Sequence, residues 1–402
     1  MNHISDGSLG REAVQAAPRR KLFFDRDLQI IFAVTLMAIM GVSNITPAFP
    51  MIVRQLGISF QDVGLLITAF TLPGVLLTPV MGVLADRWGR KRVLIPSLML
   101  FGVAGGACGF TQDFATVLVL RFIQGAGGAA LGVLNVTLIG DLYTGRERAS
   151  AMGYNASVLS IGTATYPAIG GVMAVIAWNA PFLLSFLAIP VGLLVLFSLK
   201  TVSLRNEQRL SEYLAGVWTA LQDRRVIGLF IVSIATFILL YGSYQTYLPL
   251  LLGNQFASSS VIIGLLLSSM SITTALTASQ LGMLVGIFSE ETLVKISFVI
   301  YAAALAIVPF ITHLSLFLVV TVLFGVAHGM NIPSLYSLLA TYAPARHRAA
   351  FMSVNGMILR GGQTLGPLVI GLAFTAWGMN GAFLAGAALG LVVALMAIVL
   401  IR

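Results

Sequence analysis

Uninterrupted apolar windows recur along nearly the whole chain, each closed off by a short knot of polar and charged residues. A helix needs about 20 mostly apolar residues to cross the hydrocarbon of a bilayer, so the windows predict spanning helices. They fall at 28–49, 63–85, 93–112, 115–140, 149–176 and 181–199, then at 226–252, 260–288, 294–312, 315–340, 349–376 and 381–401. An even number of spans puts both chain ends on one side. The longest connection, about 200–225, carries Leu210, Tyr213, Leu214, Val217, Trp218 and Leu221 at helical spacing. That pattern predicts a short helix lying along the membrane surface, covering the seam between two halves.

The windows also repeat. "RASAMGYNASVLSIGTATYPAIGG" (148–171) aligns with "RAAFMSVNGMILRGGQTLGPLVIG" (348–371) at an offset of 200, matching Met152 to Met352, Asn155 to Asn355, Gly162 to Gly362, Pro167 to Pro367 and Gly171 to Gly371. The same offset pairs Gly125 with Gly325 and Gly64 with Gly264. The expected fold is therefore an all-α membrane protein, with 12 transmembrane helices in two pseudo-symmetric six-helix bundles. Its parts are a cytoplasmic tail (1–27), an N-terminal bundle (28–199), a linker with the surface helix (200–225) and a C-terminal bundle (226–402). Such repeats suit transporters whose halves rock around a central site.

Composition agrees: 58% of residues are hydrophobic and 9% charged, against about a quarter charged in soluble domains. The formal charge of +9 does not gather on one face, as a nucleic-acid reading requires. Instead 20 of the 23 basic residues lie on the terminus side of the spans, with Arg54 alone in a loop on the other. Basic loops face the cytoplasm, so both termini are expected there, in a multi-pass protein of the cell (inner) membrane. The polar start, ending in "PRRK", leads into a span-length window, which reads as a retained helix and not a signal peptide. The single cysteine, Cys108, excludes an intrachain disulfide.

The densest charge knot, "GVLADRWGRKR" (82–92), stands between two uncharged stretches. With Gly82, Leu84, Asp86, Arg87, Gly89, Arg90 and Lys91 so placed, it resembles the loop 2–3 motif of the major facilitator superfamily. "RFIQGAGGA" (121–129) resembles that family's fourth-helix motif through Arg121, Gln124 and Gly125. "GTATYPAIGG" (162–171) resembles the fifth-helix motif of its proton-coupled exporters, except that Tyr166 replaces a glycine. The later copy, "GGQTLGP" (361–367), keeps Gly366 and Pro367. The resemblance covers residues 25–401 and points to the drug-and-metabolite efflux branch.

What the resemblance implies is a latch and a hinge. Gly82 and Gly89 are expected to let backbones approach, Asp86 to face the start of the eleventh helix near Ala349, and Arg90 to reach Asp141, latching the halves while the cavity faces outward. The bland alternative is that this cluster, Arg87 included, only enforces topology. Gly162, Pro167, Gly170, Gly171, Gly362, Gly366 and Pro367 read either as hinge-like packing that marks export or as plain helix contacts.

All 14 acids fall in loops or at span ends, while Arg121, His328 and Arg360 stand inside spans. Intramembrane ionisable groups are costly and are functional candidates by default. Arg121 and His328 are the proton-coupling candidates, expected on symmetry-related cavity walls. The alternatives are an arginine capping carbonyls and a structural histidine. Arg360 lies about eleven residues in, roughly 16 Å, and shares a helix face with Gln363. It either balances an anionic group on the cargo or bonds carbonyls at a bend. Asn44, Gln124, Asn135, Asn155, Tyr241, Tyr244, Gln245, Asn331 and Asn355 complete the candidate cavity lining.

No Walker-type loop and no Cys/His or carboxylate cluster appears, so no cofactor, metal or enzymatic activity is expected. A non-transporting sensor would need a soluble domain or long tail. The expected function is secondary active export of small organic molecules by alternating access, with protons exchanged, by a monomer that binds lipid and no nucleic acid. The alternative is an exporter or facilitator of an anionic or polar metabolite without carboxylate-based proton coupling.

Overall fold

The computed structural model describes residues 22–200, 223–342 and 348–401, the side chains of 348–353 excepted. The surface helix expected within 200–225 lies outside the described residues. Everything described is helix, turn or loop. The spanning helices are α1 (Arg26–Leu56), α2 (Phe60–Trp88), α3 (Arg90–Phe110), α4 (Phe114–Leu142), α5 (Gly145–Ile176) and α6 (Ala180–Ser198). They continue with α7 (Arg224–Gln255), α8 (Ser260–Ser279), α9 (Glu290–Phe310) and α10 (Leu314–Tyr342). The last helical stretch, Arg348–Leu400, breaks at Gly378, where φ is 69° and ψ −165°. Only glycine tolerates that backbone readily, and the break separates α11 (348–377) from α12 (379–400). One expected window, 260–288, divides instead: α8 ends at Ser279, and after the cap residue Gln280 a short helix, Leu281–Ile287, follows.

Several carboxylates that the sequence keeps out of the spans start them. Asp25 Oδ1 accepts from the amides of Asp27 (3.0 Å) and Leu28 (3.3 Å), Asp113 Oδ2 from Thr116 N (2.8 Å), and Asp223 Oδ1 from Arg225 N (2.8 Å). Ser59 and Asp62 form a reciprocal capping box on the first turn of α2. Each satisfies amides that the helix leaves orphaned. The same carboxylates tie loops together. Tyr143, just past α4, donates to Asp25 Oδ1 (2.7 Å), and burial plus that carboxylate push its phenol pKa well up.

The pseudo-symmetry reaches the irregularities. α1 passes through a 3-10 turn at Thr46–Ala48 beside Pro47 and Pro50. α7 passes through a nine-residue π-helix, Leu239–Tyr247, just before Pro249. At an offset of 200 the 3-10 turn falls at 246–248, the end of the π segment. Wide π turns concentrate at functional sites, and this one faces α11. Between the halves, α5 packs on α8 and α2 on α11.

Candidate functional site

The seam between the halves is clasped at one end. We call the end carrying Arg90 and Arg148 the basic end and the other the far end. A β-carbon on Gly64 of α2 would stand 2.9 Å from Pro367 Cβ of α11, and one on Gly264 of α8 would stand 2.3 Å from the Pro167 carbonyl of α5. These contacts exchange under the offset of 200, so they are one contact made twice about the pseudo-twofold axis. Gly171 similarly meets the Ser260 carbonyl at 2.3 Å. Arg54 Nη2 donates to the Gly253 carbonyl (3.1 Å), Thr68 Oγ1 to the Thr364 carbonyl (3.1 Å), and the Thr71 and Thr364 hydroxyls pair at 2.9 Å. Towards the basic end the glycine faces of the same helices stand open: among the described residues, a β-carbon at Gly153 on α5, Gly282 after α8, or Gly356 or Gly361 on α11 would meet nothing within 4 Å.

The expected hinge residues divide accordingly. Pro167, Gly171 and Pro367 stand in the clasp. Gly162 faces Leu36 and Ile39 of α1, and Gly170 meets the Asn44 carbonyl, so both pack within the N-terminal half. Gly362 meets the Ile234 carbonyl and Gly366 the π segment at Gly242 N, within the C-terminal half.

At the basic end Arg90 is the hub of the charge knot. It pairs with Asp86 one turn before it, and its Nε donates to Asp141 Oδ2 at 3.1 Å. Arg87 is exposed. Gly89 is required because φ there is 100°, and no atom of a described residue lies within 4 Å of its would-be β-carbon. Gly82 likewise makes only an ordinary 4.0 Å contact with Val133. Among the described residues, neither glycine makes the close backbone approach expected of it. The expected docking of Asp86 at Ala349 falls on side chains outside the described residues.

Midway between the ends, five helices meet around Arg360. Its Nη1 donates to Gln363 Oε1 (3.0 Å). Its stem lies on the bare face of Gly74 on α2, where a β-carbon would be 3.2 Å from Cδ, and its Nη2 reaches towards Gly132 on α4, at 3.8 Å by the same measure. Tyr241 of the π segment and Tyr336 of α10 are within electrostatic reach of the guanidinium, and the Tyr241 hydroxyl also meets Gln363. Among the described residues no carboxylate pairs with Arg360.

Most of the other expected lining residues turn inward. Arg121 is 1% exposed, so it is no cavity wall. Its Nε donates to the Leu66 carbonyl of α2 (3.1 Å) and its Nη1 to Gln124 Oε1 (2.6 Å), with the guanidinium 4.4 Å over the Phe70 ring. Gln124 passes the chain on to Ser185 Oγ at 3.0 Å. Asn44 donates to the Pro181 carbonyl (2.7 Å). Asn135 donates to Thr35 Oγ1 (2.9 Å), which donates to Asn155 Oδ1 (2.6 Å), tying α1, α4 and α5. Asn331 donates to Thr236 Oγ1 (2.7 Å), and Tyr244 stacks on Phe324 at 4.8 Å. Asn355 is 1% exposed, its Oδ1 without a partner among the described residues, as is the buried Gln245 Oε1. In lipid, hydrogen bonds between helices hold a bundle together, and these side chains do that. His328 is half-buried, 2.8 Å from the Tyr301 hydroxyl through Nδ1 and edge-on to Phe237. Arg121 and His328 therefore do not stand on matching walls.

Three members of the central cluster escaped the sequence reading. Gly74 sits in "TLPGVLLTP", whose two prolines and glycine inside a span were the available signal, and Tyr336 lies eight residues past His328 on the same helix face. Gly132 gave no signal beyond its small size.

The Major Facilitator Superfamily model matches residues 31–259 and 232–402. Multidrug resistance protein 1 of Bacillus subtilis is 24% identical over 354 residues, covering 86% of this chain and 89% of its own. The bacillibactin exporter of the same organism is 30% identical over 39% of this chain and 41% of its own, and the quinolone resistance protein NorA of Staphylococcus aureus 29% over the same shares. Among solved structures, a mutant of the nucleoside transporter NupG superposes with a TM-score of 0.80 at 15% identity, over 94% of this chain and 100% of its own. A bacterial homolog of the lysosomal transporter Spinster, inward-facing and occupied, gives 0.78 at 16%, over 93% and 96%. With the family model covering nearly all of the spanning region, the chain belongs to the Major Facilitator Superfamily and is a membrane transporter.

Proposed function

We propose that the chain exports small organic molecules from the cytoplasm by alternating access, exchanging them for protons. The observation that carries the reading is the one-ended seam. Matched Gly–Pro contacts close the far end, the described glycine faces towards the basic end stand open, and a polar cluster lies between, which supports two rigid halves tilting about the centre to expose it to one side at a time. The direction comes from likeness: multidrug resistance protein 1, NorA and the bacillibactin exporter are named for resistance or export. The basic loops put the basic end, with both termini, in the cytoplasm of a cell (inner) membrane. The described conformer is then the loading state of a monomer.

On this reading Asp86, Arg87, Arg90 and Asp141 form the latch. With the basic end parted, Arg90 holds both acids inside its own half, and closing requires Asp86 to change partner. These pairs are partly buried, their side chains 12–22% exposed, and the one that Asp86 makes must break on every cycle. His328, with Tyr301 beside it, is the group we assign to the proton. Arg121 is assigned to holding α2 and α4 together and not to proton transfer.

The test is accumulation of either of two dyes, cationic rhodamine 6G or anionic fluorescein, in proteoliposomes whose lumen is acid or equilibrated. Accumulation driven by the acid lumen, and losing its pH response in His328→Ala, is the expected result. Accumulation indifferent to the gradient defeats antiport. It would favour a second reading, facilitated export without proton exchange, which is supported by the placement of all 14 acids in loops or at span ends.

A further inference from the structure

Arg360 stands about midway across the membrane with its charge unanswered by any carboxylate among the described residues. Of its donors, Nη1 is turned to Gln363, while Nε and Nη2 make no hydrogen bond to a described residue. Its neighbours across the seam, Gly74 and Gly132, carry no side chain to meet it. On its own side stand two phenols, Tyr241 and Tyr336, and the Gln363 amide. The side chain is half-buried. The cluster thus offers a fixed cation, two hydroxyl donors, two aromatic rings and a space left by two glycines.

A desolvated charge is costly until a counter-charge meets it, and a guanidinium presents parallel N–H groups that match the two oxygens of a carboxylate or sulfonate. We propose that Arg360, with Tyr241, Tyr336 and Gln363, is the receptor for the anionic group of the cargo, which makes the transported class small aromatic or apolar organic anions. This deepens the export reading and rests on it. A lipid headgroup is a poor occupant of the same donors. Arg360 lies twelve residues along α11 from Arg348 at the basic end, roughly 18 Å at 1.5 Å per residue, far below the headgroup layer. Gln363 fixes the plane of the guanidinium. The Gly74 contact lets a C-terminal side chain feel the position of the N-terminal half, so the bound anion bridges both.

The experiment compares fluorescein with rhodamine 6G, dyes sharing a xanthene body but opposite in charge. Their binding to purified full-length protein in phosphatidylcholine nanodiscs is followed by fluorescence anisotropy, with empty nanodiscs subtracted. Fluorescein is expected to bind more tightly. Arg360→Gln should weaken it by about 30-fold or more, as when one partner of a buried charge pair is removed, while Arg360→Lys keeps the preference for the anion. Salicylate should compete with fluorescein and its neutral amide, salicylamide, should not. Equal binding of the two dyes to the wild type, or fluorescein binding unchanged in Arg360→Gln, overturns the proposal. Should Arg360→Gln fail to purify, the wild-type preference and the salicylate pair still decide it. Failure of the export reading looks different: Arg360-dependent fluorescein binding with no dye moved in proteoliposomes. Rhodamine 6G moved without Arg360-dependent anion binding leaves export standing and removes the anion site.

Discussion

In the N-terminal half the Leu66 carbonyl of α2 receives the Arg121 guanidinium of α4. At the equivalent joint of the C-terminal half, the Leu266 carbonyl of α8 receives the hydroxyls of Ser269 (2.7 Å) and Tyr244 (3.4 Å). Thr321, in the place of Arg121, meets Ser269 at 2.6 Å. One half fastens the joint with a buried charge and the other with neutral hydroxyls. Towards the centre the asymmetry reverses. Where the C-terminal half presents Tyr241, Tyr336, Arg360 and Gln363, the offset of 200 gives Gly41, Val136, Ser160 and Thr163 in the N-terminal half. The N-terminal half spends its intramembrane arginine on structure and offers the centre a smooth wall. The C-terminal half leaves its arginine held by Gln363 alone among the described side chains. A duplicated fold has kept the helix joints and divided the chemistry, so an intramembrane charge cannot be assigned from its presence alone. Its partners decide.

The seam provides the largest test of the symmetry. Gly264→Ala drives a methyl into a backbone carbonyl, 2.3 Å away in the present structure. Overpacking of such a rigid contact costs about 1–3 kcal/mol, so the far end should close poorly and transport should fall by about tenfold. Gly64→Ala meets Pro367 Cβ at 2.9 Å and should lose less. Transport rates of the two variants, normalised to protein inserted in proteoliposomes, check this. Equal losses would mean that the two contacts bear the closing load evenly despite their different depths.

Next comes the joint itself. Arg121→Ala leaves the Leu66 carbonyl and Gln124 without their donor and empties the space over Phe70. Hydrogen bonds to charged groups are worth about 1.5–3 kcal/mol, so a destabilisation of about that size should appear as a lower thermal midpoint in detergent. Thr321→Ala removes one neutral hydroxyl contact and should cost about 1 kcal/mol or less. Arg360→Ala, which deletes an unpaired cation, should not lower the midpoint. If the ranking of Arg121→Ala and Arg360→Ala is reversed, the division of labour between the halves is wrong.

The spans and their duplication were legible because lipid imposes the same demand on every crossing segment. Each must satisfy its own backbone and carry about 20 apolar residues, and the loops between must hold the charges. The break at Gly378 was legible as well, as a gap between windows. What the chain does not announce is the direction in which a polar residue faces once inside. A spanning helix has a lipid face, a bundle face and a cavity face, and hydropathy separates only the first. Asn135 and Asn331 look like cavity residues because they are polar and central, yet each is taken by a threonine on a neighbouring helix. Gly74 and Gly132 matter for what they lack, and a missing side chain leaves no mark until its opposite number, Arg360, is known. The π segment of α7 was hidden for a similar reason: "YGSYQTYLP" reads as a polar patch before a proline, not as a wide turn.

The smallest expected effect sharpens the comparison most, because two asparagines share one alignment column. Asn155 accepts from Thr35, which in turn accepts from Asn135. At the positions that match Thr35 and Asn135, the C-terminal half has Ala235 and Leu335, and Asn355 Oδ1 is left without a partner among the described residues. Hydrogen bonds between membrane helices average about 0.6 kcal/mol and reach about 1.7, so Asn155→Leu should destabilise by about 1 kcal/mol. A buried polar atom with no partner costs stability, so Asn355→Leu should leave the thermal midpoint unchanged or raise it. Asn355→Leu lowering the midpoint as much as Asn155→Leu would mean that the C-terminal half has rebuilt the lost triad from other atoms. The apolar replacement of Thr35 and Asn135 would then not have released Asn355 from a structural role.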